Sequence, residues 1–163
     1  MPDTLVSDIM RTDVAKLRRT DSVAQVARAL SESGLPGLPV LDGDSIVGIV
    51  TESDLIERQA DVEVPTPIPF LDAIFTIDSG RKFEEELRHV LARTAEEMMT
   101  HPVFNIRASA TIDELATLMV TDHVNPVPVV DQVGKLVGIV SRSDLVKIIA
   151  KLEADDEGEA GAQ

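Results

Sequence analysis

Gly48-Ile49-Val50-Thr51-Glu52-Ser53-Asp54-Leu55-Ile56 recurs as Gly138-Ile139-Val140-Ser141-Arg142-Ser143-Asp144-Leu145-Val146. The chain therefore carries glycine, apolar run, hydroxyl and carboxylate twice, and such a duplication predicts both the architecture and the place of a binding site. The copies extend outward. Leu38-Pro39-Val40-Leu41-Asp42 matches Val127-Pro128-Val129-Val130-Asp131, and Ile9-Met10 matches Met98-Met99. The single-residue difference in spacing falls between Asp42-Gly43-Asp44-Ser45 and Asp131-Gln132-Val133-Gly134-Lys135, turns in which an insertion disturbs no packed face.

Val23, Val26, Ala27 and Leu30 fall at i, i+3, i+4 and i+7, as do Ile112, Leu115, Ala116 and Met119, so both stretches predict amphipathic helices. Ser22 with Gln25 and Thr111 with Glu114 have the spacing of a capping box. Two short apolar segments follow in each copy, 38–41 then 46–50 and 127–130 then 136–140. They predict paired strands, the second buried on both faces because its apolar run is continuous. Pro39 and Pro128 cannot donate to a ladder, so each requires an edge strand or a place where no bond is needed. A further helix is expected from about 52 to 59, and again from about 142 to 152. Each unit reads strand, helix, strand, strand, helix, an α/β (α+β) fold with repeats at 1–60 and 94–152.

Residues 61–93 form a connector that neither copy repeats. Val64-Pro65-Thr66-Pro67-Ile68-Pro69 must be extended, since a residue before proline is pushed out of the helical region. The apolar stretch 70–77 and a turn at 78–80 follow, and a helix is expected over 81–99 with Phe83, Leu87, Val90 and Leu91 on one face. Residues 153–163 hold no bulky apolar side chain and much negative charge, and predict a disordered tail.

A chain of 163 residues can form one domain or two small units that bury each other, and each copy is too short to bury much alone. With no Trp, no Tyr and four Phe, the core must be aliphatic, and there is no aromatic platform for stacking bases. A net charge of -14 without a basic run argues against DNA or RNA as a partner. The absence of cysteine excludes disulfides, thiolate metal sites and a cysteine nucleophile. Neither a secretory signal nor a membrane-spanning apolar stretch is present, so a cytoplasmic protein without membrane insertion is expected.

Thr51 and Asp54, like Ser141 and Asp144, stand three apart where a strand meets a helix. One reading is a helix cap, with hydroxyl and acid satisfying backbone N–H groups. The other is a ligand site: a helix N-terminus and hydroxyl suit an anion such as phosphate, and an ionised Asp accepts two hydrogen bonds from a vicinal diol such as ribose. Gly48 and Gly138 would allow close backbone approach or relieve crowding in a strand. The residues alone leave both readings open.

The paired units, the apolar-Pro-Val-apolar-Asp strand and the Gly-Ile-Val-(Thr/Ser)-x-Ser-Asp junction resemble a tandem pair of CBS domains, named for cystathionine beta-synthase, over about residues 5–60 and 94–150. The resemblance implies a stand-alone Bateman module, two repeats packed through their sheets with two clefts that commonly bind adenosyl ligands. It assigns ribose and phosphate contacts to Thr51, Ser53 and Asp54 in one cleft and to Ser141, Ser143 and Asp144 in the other. It assigns the base to backbone near Val14 and Ala15 with Pro36, Gly37 and Leu38, and near Val103 with Asn125, Pro126 and Val127. Arg142 stands where the other copy has Glu52, so the Asp144 cleft is expected to prefer the more phosphorylated ligand.

His89, His101 and His123 are not spaced as metal ligands, and no carboxylate pair with a nucleophile marks an enzyme. Arg18, Arg19 and Arg107 lie near loops that face a cleft, with solvated surface as their default. The expectation is a non-catalytic regulatory module without an obligatory cofactor or metal. It would take an adenine nucleotide (AMP, ADP or ATP) as regulatory ligand, form a homodimer and signal to a protein target in trans. The alternative is a scaffold protein with vestigial clefts.

Overall fold

The computed structural model describes residues 4–59 and 92–160, with side chains as far as residue 154. The first repeat comprises α1 (Val6–Ile9), β1 (Leu17–Arg18), α2 (Val23–Ser33), β2 (Gly37–Asp42), β3 (Ser45–Thr51) and α3 (Glu52–Gln59). The second repeats that order as α4 (Ala95–Met98), β4 (Ile106–Arg107), α5 (Ile112–Thr121), β5 (Val127–Val130), β6 (Leu136–Val140) and α6 (Arg142–Ala160). A single-turn helix thus precedes each predicted unit, and the first strand begins at Leu17, beyond Val14.

Helices α2 and α5 start on the expected caps. Ser22 Oγ accepts the Gln25 N–H at 3.3 Å while Gln25 Oε1 accepts the Ser22 N–H at 2.8 Å, and Thr111 with Glu114 repeats this at 3.3 and 2.8 Å. Each repeat folds a three-stranded sheet, β1-β2-β3 and β4-β5-β6, with the outer two-residue strand parallel and the hairpin antiparallel. Pro39 and Pro128 lie in the central strands, yet β1 pairs only from Val40 and β4 only from Val129. Each proline therefore sits where no ladder bond is demanded, the second of the two possibilities. The register slips at the same place in both hairpins, after Val40 and after Val129. Burial on both faces holds better for β6, where only Val137 is half-exposed, than for β3, where Val47 and Ile49 are also partly accessible.

The two repeats exchange their leading segments. The Val6 and Ser7 N–H groups donate to the Ala110 and Ala108 carbonyls at 2.8 and 2.9 Å, and Arg11 exchanges backbone bonds with Ile139 at 2.9 and 3.0 Å. In return, Ala95 and Glu96 donate to Asp21 and Arg19 at 2.8 and 3.0 Å, and Thr100 pairs with Ile49 at 2.9 and 3.1 Å. The cores follow the exchange. Val6 packs with Ile112, Leu115, Met119 and Val127, whereas Ala92, Ala95 and Met98 pack with Leu17, Val26, Leu38 and Val50. Ile139 of the second repeat also enters the first core, so the units are not independently buried. The conserved spacing of Gly48 and Gly138 has its use here: a Cβ on Gly48 would run into the Met99 side chain, and one on Gly138 would stand 2.6 Å from Met10 Sδ.

Two expectations are corrected. A continuous helix over 81–99 fails within its described part, because Thr94 is an extended N-cap whose hydroxyl accepts the Glu97 N–H at 3.4 Å and starts α4 afresh. The remainder of that helix, the extended 64–69, the stretch 70–77 and the turn 78–80 lie outside the described residues. The last helix does not stop near Leu152 ahead of a disordered tail but runs to Ala160. Low apolarity forbids packing, but glutamate and alanine are good helix formers, and extending an existing helix incurs no second nucleation cost.

Candidate functional site

The exchange brings the β3–α3 junction of the first repeat against the loops of the second. A cavity of about 370 Å³ opens there, with Ile49, Thr51 and Ser53 on one wall and residues from the 100–104 and 122–126 loops on the other. Its size falls in the range of roughly 300 to 1,000 Å³ usual for small-molecule sites. At its edge the repeats touch, since a Cβ on Gly37 would stand 2.8 Å from Pro126 Cδ and 3.1 Å from Thr51 Cγ2. Thr51, Ser53, Val103, Asn125 and Pro126 thus share one cleft, although they come from opposite repeats.

Asp54 stands one layer behind. Its Oδ2 accepts the Thr51 N–H at 2.7 Å and the Thr51 hydroxyl at 3.1 Å, and the residue is 6% exposed. The capping reading is therefore realised, and it also turns the Thr51 hydroxyl proton toward Asp54, leaving the oxygen's lone pairs for the cavity side. The second junction is built alike. Asp144 Oδ2 accepts the Ser141 N–H at 3.0 Å and its hydroxyl at 2.6 Å, Ser141 Oγ accepts the Asp144 N–H at 3.3 Å, and the Ser141 and Ser143 hydroxyls are 2.8 Å apart.

Asp144 also meets a cation from the exchanged leading segment. Arg11 Nε donates to both Asp144 oxygens at 3.2 Å and its Nη2 donates to Oδ1 at 2.9 Å. Burial pushes the Asp144 carboxyl up, but Arg11 together with the Ser141 hydroxyl and N–H outweighs it and holds the carboxyl below its ordinary value. Arg11 was not anticipated. Its signal was its place beside Met10, the match of Met99, which the exchange carries to the other repeat. Arg142, expected to supply the cation, instead points its guanidinium to the Met119 carbonyl at 3.5 Å while its N–H donates to Asn125 Oδ1 at 2.9 Å.

The remaining candidates scatter. Leu38 and Val127 are wholly buried in the two cores and are not among the residues lining the Thr51 cavity, Val14 packs against the first core, and Ala15 is exposed. Arg18 pairs with Asp21, Arg19 bridges Asp42 and Glu96, and Arg107 reaches the Gln132 carbonyl, all as structural surface contacts. Phe104 and His123, neither expected, line the cavity. His123 has φ 55, the left-handed backbone that Gly34 adopts with φ 64 at the matching helix end of the first repeat. His89 lies outside the described residues, and among the described residues no three His, Asp or Glu side chains converge as a metal site. No described helix is long and apolar enough to cross a membrane.

A family model of the CBS domain matches residues 6–61 and 95–151. Protein MJ1426 of Methanocaldococcus jannaschii is 30% identical over 153 residues, which cover 89% of this chain and 90% of that one. CBSX2 of Arabidopsis thaliana, solved in complex with AMP, superposes with a TM-score of 0.76 at 24% identity, covering 92% of this chain and 99% of that one. The CBS domain pair of protein MJ0100, solved with 5′-methylthioadenosine and S-adenosyl-L-methionine, gives 0.69 at 24% identity over 92% and 98% of the two chains. At that identity the two solved structures share the fold with this chain.

Proposed function

The chain belongs to the CBS-domain family as a tandem pair, and from that premise we propose that it is a non-catalytic regulatory module that binds an adenosyl ligand between its repeats. The observation that carries this reading is the cavity in which Thr51 and Ser53 of one repeat face Val103, Asn125 and Pro126 of the other. The polar wall suits sugar and phosphate, and the apolar wall suits a base. Thr51 offers an oriented hydroxyl and Ser53 a second one, while Asp54 holds Thr51 in place. The AMP of CBSX2 and the adenosyl compounds of MJ0100 support the ligand class.

Because both walls come from different repeats, a bound ligand ties them together. It shifts any equilibrium between two arrangements only by binding one of them better. The signal then passes to a protein target in trans in the cytoplasm. Ile56 and Val146, at matched positions on α3 and α6, are 68% and 62% exposed, which supports a homodimer through those helices.

Thermal-shift screening with AMP, ADP, ATP, S-adenosylmethionine, NAD and cyclic di-AMP tests the reading. A ligand at a hundredfold excess over its Kd should stabilise by about 2.7 kcal/mol. Thr51→Val should weaken binding roughly fivefold by removing a hydrogen bond worth about 1 kcal/mol. No shift with any compound would leave a scaffold with vestigial clefts.

A further inference from the structure

Asn125 belongs both to the Thr51 cavity and to the start of α6. It lines the cavity wall contributed by the second repeat, and its Oδ1 accepts the Arg142 N–H, the first of that helix, at 2.9 Å. An atom that accepts an N–H is the amide oxygen, so the other branch of the side chain is the NH2 group, with two donors and no acceptor. Among the described residues Nδ2 has no partner. The opposite wall is committed in the complementary sense. The Thr51 hydroxyl directs its proton to Asp54 at 3.1 Å and meets a ligand as an acceptor. The cavity thus sets a fixed donor on one repeat against a fixed acceptor on the other, and an adenosyl ligand carries both kinds of group on its base and on its sugar.

The first repeat holds the matching helix start differently. Glu52, the match of Arg142, donates its N–H at 2.9 Å to the backbone carbonyl of Pro36, the match of Asn125. A backbone carbonyl turns only with the chain, whereas an amide side chain turns about its own two torsions. The bond at Arg142 therefore depends on how a cavity-lining side chain is held. The same stretch meets Arg142 again, since its guanidinium reaches the Met119 carbonyl at 3.5 Å. The first residue of α6 accordingly rests against both ends of the segment 119–125.

We infer that Asn125 is a ligand-binding and positioning residue of the Thr51 cavity: its Nδ2 donates to an acceptor of the adenosyl ligand, which locks the amide and fixes the start of α6. Occupancy of the cavity then registers in the helix that carries the exposed Val146. This deepens the proposed function and rests on it.

Calorimetry on the full chain with AMP and 5′-methylthioadenosine, together with hydrogen exchange at the Arg142 N–H, tests it. Asn125→Asp keeps an oxygen for that N–H but loses both donors. It should leave the urea midpoint no lower than in the wild type and weaken both compounds by about fivefold or more, the loss expected for one hydrogen bond. The compound without phosphate separates this loss from repulsion by the new carboxylate. Saturating AMP should slow exchange at Arg142 in the wild type, and that slowing should be lost in Asn125→Ala, which removes the acceptor. Undiminished affinity of Asn125→Asp for either compound that the wild type binds would overturn the inference while leaving the function intact. So would the absence of slowing at Arg142 in the wild type, or equal slowing in Asn125→Ala. Failure of both compounds to bind the wild type would overturn both.

Discussion

The two strand–helix junctions, with the loops beside them, differ in their accessible side chains and agree where they face the core. Arg11 stands opposite Thr100, Ala15 opposite Phe104 and Gly34 opposite His123, yet both repeats keep the same bulge, the same capping box and the same hydroxyl bonded to the same aspartate. Even the Gly34 and His123 pair shares its left-handed backbone, at φ 64 and 55. A duplicated fold thus keeps what holds the scaffold and varies the accessible side chains around it. Changes to the first kind of position should act on both repeats alike, and changes to the second should act on one.

The exchange of leading segments is the sharpest way to break that symmetry. Met98 belongs to the second repeat in sequence but is wholly buried in the core of the first. Met98→Ala should cost about 3 kcal/mol, the middle of the range for deleting a buried methionine. Urea unfolding measures the loss, and hydrogen exchange locates it. Protection should fall first in β2 and β3. An initial loss in β5 and β6 would mean that sequence order, not the exchange, defines the cooperative units.

Asp144→Asn comes next. It removes a partly buried anion from Arg11, and because the guanidinium is 38% exposed water recovers part of the loss. About 2 kcal/mol is expected, below the cost of breaking a fully buried pair. The folded-state carboxyl is held below its ordinary value, so the unfolded chain binds the proton first and stability rises with pH across that window. The difference between wild type and Asp144→Asn should be constant above about pH 5, where the unfolded Asp is ionised. It should vanish as pH falls through the lowered folded value, and a difference that persists there would place the stabilisation elsewhere than in the charge.

The repeat, its long helices, its hairpins and the polar junctions were legible because each rests on local chemistry: an apolar period, a capping box, or a hydroxyl three residues from an acid. Pro39 and Pro128 left two possibilities, and only the short reach of β1 and β4 decides between them. The exchange was not legible. Leu5 to Arg11 and Thr94 to Thr100 carry no local mark of which repeat they join, since that depends on which glycine surface their methionines find. Hence the sequence spacing anticipates the Thr51–Asp54 hydrogen bond, but not the cavity lining by Phe104 and His123 or the Arg11 contact with Asp144.

Those glycines give the third test. Gly48→Ala and Gly138→Ala should each cost about 1 to 2 kcal/mol by overpacking. The three atoms nearest a Cβ on Gly48 all belong to the Met99 side chain, whereas the Gly138 site also meets the Arg11 carbonyl oxygen at 3.0 Å. In double variants, Met99→Ala should relieve Gly48→Ala more completely than Met10→Ala relieves Gly138→Ala, because backbone cannot be trimmed. Equal rescue would remove this asymmetry between the repeats.

The capping boxes should show the smallest effects and the closest equality. Ser22 and Thr111 hold their helices with matching geometry, 3.3 Å to the third helical N–H and 2.8 Å for the bond returned by Gln25 or Glu114. Both lie at exposed helix starts, so water replaces part of each lost bond. Ser22→Ala and Thr111→Ala should therefore each cost about 1 kcal/mol. The two sites share no partner, so the losses should add in the double variant to within about 0.5 kcal/mol. Glu114 is charged where Gln25 is neutral, and a carboxylate also interacts with the helix dipole. Added salt should therefore reduce the loss at Thr111 and leave that at Ser22 unchanged, a difference that urea titration at two ionic strengths resolves.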